Sequence, residues 1–144
     1  MLTQEIMSTH IHTIAAEDTL MDAATKMREA DVGCLVATDD GEIAGIITDR
    51  DLVVRCLSEG HDFKRCLVSK HMSIPVISVP PSKDMLETAH MMMERDIRRI
   101  PVIEKGKTVG LVSLSDIAQA MDTAVQQMDN AVHDLLMGMG ASRA

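Results

Sequence analysis

A single offset of sixty-five residues runs through this chain and constrains its fold more than any other feature. Gly45-Ile46-Ile47-Thr48-Asp49-Arg50-Asp51 returns as Gly110-Leu111-Val112-Ser113-Leu114-Ser115-Asp116. At the same offset Met7-Ser8 matches Met72-Ser73, Ala24 matches Ala89, Met27 matches Met92, Glu29 matches Glu94, Asp31 matches Asp96 and Gly41 matches Gly106. No gap is needed, so two copies of one supersecondary unit are the simplest explanation. In both copies a glycine opens a short apolar run that reads as a buried strand, a hydroxyl residue ends it, and an aspartate follows three positions later. A strand thus runs straight into a helix, with the hydroxyl at the N-cap and the carboxylate at N3. Backbone N–H groups and the positive end of the helix dipole converge there, a setting that suits phosphate and sugar hydroxyls. Thr48-x-x-Asp51 and Ser113-x-x-Asp116 would also serve as ordinary caps, each contributing about 1 kcal/mol. Their repetition in register is what favours a ligand.

Each copy reads as strand–helix–strand–strand–helix. In the first, residues 10–15 are extended, and Asp18 is expected to cap a helix with Leu20, Ala23, Ala24 and Met27 on one face. In the second, residues 76–79 are extended, Pro80-Pro81 turns, and Ser82 is expected to cap a helix presenting Met85, Ala89 and Met92. Paired strands follow at 32–38 and 42–48 around Asp39-Asp40-Gly41, and at 97–103 and 107–113 around Glu104-Lys105-Gly106. Second helices run through Leu52-Val53-Val54 and Ile117-Ala118. The organisation expected is a first repeat at 1–57, a polar linker at 58–70, a second repeat at 71–121 and a C-terminal amphipathic helix and tail at 122–144. Neither half can bury its sheet alone at this size, so the halves should pack face to face with pseudo-two-fold symmetry in an α/β fold.

Composition narrows the function. Hydrophobic residues make up 46% of the chain, but there is no Trp or Tyr and one Phe, Phe63, so the core is aliphatic with thirteen Met filling gaps. The lack of stacking aromatics and a net charge of −8 argue against a nucleic-acid partner. No apolar run is long enough to span a membrane and no signal-peptide layout opens the chain, which points to the cytoplasm. Cys34, Cys56 and Cys66 cannot all pair with one another, as fits a reducing compartment.

The two glycine–apolar–apolar–Thr/Ser-x-x-Asp strings, Arg99-Ile100-Pro101-Val102, the element order and the duplication resemble the tandem cystathionine-beta-synthase-type (CBS) domain pair, or Bateman module, over about residues 3 to 121. Thr48-Asp49-Arg50-Asp51 and the stand-alone length are similar to small stress-associated CBS-pair proteins. The resemblance implies a regulatory binding module with no catalysis and no catalytic cofactor. It would take an adenosine-containing ligand, namely AMP, ADP, ATP or S-adenosylmethionine, and pass the bound state to an effector protein. It also implies that Asp51 with Thr48, and Asp116 with Ser113, meet the ribose and its phosphate. The adenine pockets would then come from the other copy, with His12, Val32 and Gly33 opposite Asp116, and Ile77, Ile97 and Arg98 opposite Asp51. Arg99, which the resemblance puts on the ligand phosphate, is matched by Cys34. On that basis the Ser113/Asp116 pocket is expected to be the stronger one, unless Arg50 or Arg98 swings into the other.

Other constellations compete. His10-x-His12 and Cys56-x4-His61-x4-Cys66 could hold zinc, but neither is a usual structural spacing and no metal is expected. The Met-rich faces, Met91-Met92-Met93 included, read as core. No nucleophile–base pair or glycine-rich phosphate loop stands in plausible context, so no enzyme is expected. From Met121 the apolar residues Val125, Met128, Val132, Leu135 and Met139 alternate spacings of four and three. This helix either folds back on its own module at Asp122-Thr123 or forms the seam of a homodimer.

Overall fold

In the computed structural model the described residues are 1–74 and 77–142, with side chains described to residue 138. In the first unit β1 (Thr13–Ala15) pairs parallel with β2 (Cys34–Asp39), which pairs antiparallel with β3 (Glu42–Thr48). Helix α1 (Leu20–Ala30) makes the crossover. In the second unit α3 (Met85–Glu94) precedes the antiparallel pair β4 (Arg99–Glu104) and β5 (Lys107–Ser113). The extended piece expected at 76–79 begins outside the described residues; Val79 forms a single parallel bridge to Val102, in the place β1 takes in the first unit. The repeat extends to irregularities. Each hairpin carries a register shift, between Ala37 and Thr38 and between Val102 and Ile103, and Asp31, Asp96, Asp40 and Lys105 all take positive φ.

Strands β3 and β5 fall where the sequence puts them, whereas β2 and β4 start two residues late. The cause is the end of the preceding helix. Asp31 and Asp96 turn left-handed, and the N–H groups of Val32 and Ile97 bond back to Met27 and Met92 carbonyls at 3.0 and 2.9 Å. The caps also differ from expectation. Thr19, not Asp18, caps α1: its Oγ1 accepts from Asp22 N–H at 3.1 Å while Asp22 returns a bond to Thr19 N–H. Asp18 is held in the preceding turn, its N–H on the Ala15 carbonyl. Asp84, not Ser82, caps α3, accepting from Leu86 and Glu87 N–H at 3.0 and 3.3 Å. Ser82 lies in the turn closed by Lys83 N–H on the Pro80 carbonyl.

Two aliphatic cores form, one per unit. Leu20, Leu35, Ile47 and Val68 are fully buried in the first, and Met92, Ile100, Val102 and Val112 in the second. The segments preceding each unit cross over to the other. A 3-10 turn at Thr3–Glu5 packs on the second unit, where Thr3 N–H reaches the Lys83 carbonyl at 2.8 Å and Thr3 Oγ1 meets Thr88 Oγ1 at 2.9 Å. Ser8 then exchanges two backbone hydrogen bonds of 2.9 Å with Leu111. Reciprocally, the 3-10 turn Val68–Lys70 packs on the first unit, and Ser73 N–H bonds the Ile46 carbonyl at 2.8 Å. The stretch read as a polar linker is therefore partly folded structure, with Val68 inside the first core.

The crossing explains the glycine that opens each motif. A Cβ on Gly45 would lie 2.5 Å from Met72 Sδ, and one on Gly110 would lie 2.7 Å from Met7 Cγ. Methionine from the crossing arm occupies the space a side chain would need.

The second helices diverge. Helix α2 (Asp49–Asp51) widens at once into a π-helical stretch, Leu52–Leu57, in which Ser58 N–H bonds the Val53 carbonyl at 3.0 Å. Helix α4 (Leu114–Ser142) is continuous through Asp122-Thr123, so it does not fold back there. Met121, Val125, Met128, Val132 and Leu135 on it are all exposed.

Candidate functional site

Two clefts lie where one copy's Thr/Ser-x-x-Asp faces the other copy's strand entry. The larger, about 340 Å³, brings Thr48, Arg50 and Asp51 together with Ile77, Asp96, Ile97, Arg98 and Arg99, with Ile46 and Ser73 at its side. The smaller, about 210 Å³, brings Ser113 and Asp116 together with His12, Val32, Gly33 and Arg99, and with Ser8, His10, Ile11 and Cys34. All the candidate residues read from the sequence therefore line one cleft or the other, in the two groups named above.

Capping builds both. Thr48 Oγ1 accepts from Asp51 N–H at 3.1 Å, and Asp51 Oδ2 accepts from Thr48 N–H at 2.9 Å. Ser113 and Asp116 repeat these bonds at 3.1 and 2.8 Å. The caps and the ligand reading are compatible, since the reciprocal bonds engage one oxygen of each carboxylate and each carboxylate oxygen can accept more than one bond. In the larger cleft Asp51 Oδ1 pairs with Arg55 Nη2 at 2.8 Å, and the same nitrogen donates to Ser73 Oγ at 2.9 Å. Asp116 Oδ1 has no such partner among the described residues.

The arginines break the symmetry, and not in the expected direction. Arg99 lines both clefts, while Arg50 and Arg98 line the Thr48/Asp51 cleft alone. Among the described residues none of the three forms an ion pair. The Thr48/Asp51 cleft is thus the more cationic one. Arg98 faces Asp51 as the resemblance implies and Arg50 stands within the motif itself; what the sequence does not show is that Arg99 also lines the Thr48/Asp51 cleft. As cleft residues Ser73, Asp96 and Ile11 carry no signal in the sequence, and His10 stands out there as a metal candidate alone; Ser73 arrives on the crossing arm.

Local sequence also explains the glycine at the strand entry of the smaller cleft. A Cβ on Gly33 would sit 2.8 Å from Asp49 Oδ2, so glycine is the residue that fits under that carboxylate. Asp49 N–H donates to the Gly33 carbonyl at 2.9 Å, as Leu114 N–H does to Arg98. Beside it burial pushes the Cys34 thiol up to about 11; Arg99 opposes this, and Asp51 and Asp49 add to it.

The sequence model of the CBS domain matches residues 4–58 and again 68–123, so the chain belongs to the CBS-domain family as a tandem pair. It is 31% identical over 127 residues to CBS domain-containing protein YhcV of Bacillus subtilis, covering 88% of this chain and 86% of that protein. It is 31% identical over 131 residues to hypoxic response protein 1 of Mycobacterium tuberculosis, covering 90% of this chain and 92% of that one. The structure of Hypoxic Response Protein I, which has two coordinated zinc ions, superposes with a TM-score of 0.72 over 83% of this chain and 98% of that chain. The CBS pair of MJ0100, solved with 5-methylthioadenosine and S-adenosyl-L-methionine, shares the fold at TM-score 0.78 and 23% identity, over 86% of this chain and 98% of that one. Among the described residues no helix is long and apolar enough to cross a membrane.

Proposed function

We propose that this CBS pair is a non-catalytic cytoplasmic sensor that binds a phosphate-bearing adenosine ligand, AMP, ADP or ATP, in the Thr48/Asp51 cleft. The observation that carries the reading is the set of three guanidinium groups, Arg50, Arg98 and Arg99, lining one cleft of a chain whose net charge is −8. Guanidinium is suited to phosphate because its planar fork can bond two oxygens at once. It disfavours the sulfonium of S-adenosylmethionine, the other adenosine ligand of the resemblance. Asp51 then takes the ribose hydroxyls, Thr48 lies by the phosphate, and Ile77 and Ile97 flank the base. The Ser113/Asp116 cleft, with His12, Val32, Gly33 and the shared Arg99, is a weaker second site for the same ligand class. The ligands of the MJ0100 pair, neither of which carries a phosphate, support the adenosine moiety alone.

The protein acts as a homodimer through the exposed apolar seam of α4, and an effector protein reads the bound state. The seam supports this, since Met121, Val125, Met128, Val132 and Leu135 recur at four and three residues and stay uncovered within the subunit.

A thermal-shift screen tests the ligand. At a concentration one hundred times Kd, a ligand of the folded state adds about 2.7 kcal/mol, or roughly 5–10 °C for a domain of this size. AMP, ADP or ATP should raise Tm by that order and S-adenosylmethionine by less. No shift with any adenine nucleotide at millimolar concentration would end the nucleotide reading.

A further inference from the structure

His61, Cys66 and His71 fall at even spacing along the segment between the units, and the fold closes that segment into a knot of three ligand-bearing side chains. One ligand atom from each lies within 4.8 Å of the other two. The imidazole rings of His61 and His71 meet edge to face, with centroids 4.5 Å apart at 61°. From the sequence, Cys56 looks like the partner of His61 and Cys66. The fold removes it, because Cys56 is fully buried in the first core, and brings in His71 instead.

We propose that His61, Cys66 and His71 form a binding site for one zinc ion, with solvent as the fourth ligand. Two imidazole nitrogens and one thiolate are the donor set zinc prefers, and three protein ligands with one open position is an arrangement zinc adopts. Zn–N bonds of about 2.0–2.1 Å and a Zn–S bond of about 2.3 Å place tetrahedral ligand atoms roughly 3.5 Å apart. The three atoms therefore need to close by about 1 Å, a distance side-chain rotation covers.

The backbone that carries them is already tied down. Cys66 N–H bonds the Asp62 carbonyl at 2.8 Å, and the Cys66 carbonyl receives Leu20 N–H at 2.9 Å. His61 N–H bonds the Cys56 carbonyl at 3.1 Å and His71 N–H the Val68 carbonyl at 3.0 Å. The nearby carboxylate of Asp62 is engaged elsewhere, on Lys64 N–H at 3.0 Å. His61 is exposed while Cys66 and His71 are half-buried, so the ion has a way in and its open position faces solvent. On binding, the Cys66 thiol gives its proton to solvent and coordinates as thiolate.

The test uses the full chain, stripped with a chelator and titrated with Co²⁺ in the absence of nucleotide, so that its result is independent of the cleft. One Co²⁺ per chain with a thiolate-to-cobalt charge-transfer band, displaced by one Zn²⁺, is expected. Loss of an outer-shell partner alone costs about 10- to 100-fold in affinity, so His61→Ala and His71→Ala should each weaken binding at least about tenfold. Cys66→Ser should abolish the band, and His90→Ala, on α3, should change nothing. Circular dichroism confirms that each variant is folded, and the exposed His61 supplies a variant that leaves the fold intact. No band, a band that survives Cys66→Ser, or affinity unchanged in both histidine variants would overturn the proposal.

Discussion

Arg99 is where the two clefts share one side chain, so its removal should be felt in both. A hydrogen bond to a charged group is worth about 1.5–3 kcal/mol, so Arg99→Ala should weaken nucleotide binding roughly ten- to a hundredfold. Asp51→Ala should weaken it more than Asp116→Ala, and Arg98→Ala should affect the tighter site alone, all readable by calorimetric titration. If Asp116→Ala proves the more damaging, the two clefts exchange roles. Cys34 makes a separate prediction. Its thiol ionises through about 11 in the folded protein against an ordinary 9.0, so the unfolded chain loses its proton first. The stability this contributes is complete below pH 9.0 and drains away as pH rises to about 11. Urea midpoints across that window should fall less steeply for Cys34→Ala than for the native chain. In native buffer Cys34 should also alkylate more slowly than the half-buried Cys66.

Elements were legible where one residue type had one physical reason to be there. Both motif strands end at the hydroxyl because Thr48 and Ser113, the last residues paired in the ladder, cap the helix that begins at the next residue, and both bounds follow from the sequence. The caps of α1 and α3 were less legible, because Asp18-Thr19 and Ser82-Lys83-Asp84 each offer two capping residues within one turn. Which one wins depends on tertiary bonds, such as Val68 N–H on the Asp18 carbonyl at 2.8 Å. The grouping of site residues came from the resemblance rather than from periodicity, and the crossing arms were invisible to both. Thr48→Ala should cost about 1 kcal/mol in urea unfolding, and Thr48→Ser much less. Gly110→Ala forces Met7 to move, and overpacking of this kind costs about 1–3 kcal/mol.

At the scale of the whole molecule the question is what α4 does once it leaves the second unit. Its 29 residues span about 43 Å, and its apolar seam from Met121 to Leu135 is exposed in the subunit. Deleting residues 122–144 should therefore convert dimer to monomer in light scattering while leaving Tm of the pair nearly unchanged. Association that survives the deletion would move the dimer surface elsewhere. The crossed N-terminal arms have a consequence of a different kind. Each half holds the strip of chain that completes the other, as in two copies of one ancestor that traded arms before being joined. Fragments 1–65 and 66–144, produced separately, should then reconstitute the pair when mixed, and either alone should be poorly folded, as chemical-shift dispersion would report. Mutations that suit one half must therefore also suit the arm it borrows from the other, so the two halves are bound to change together.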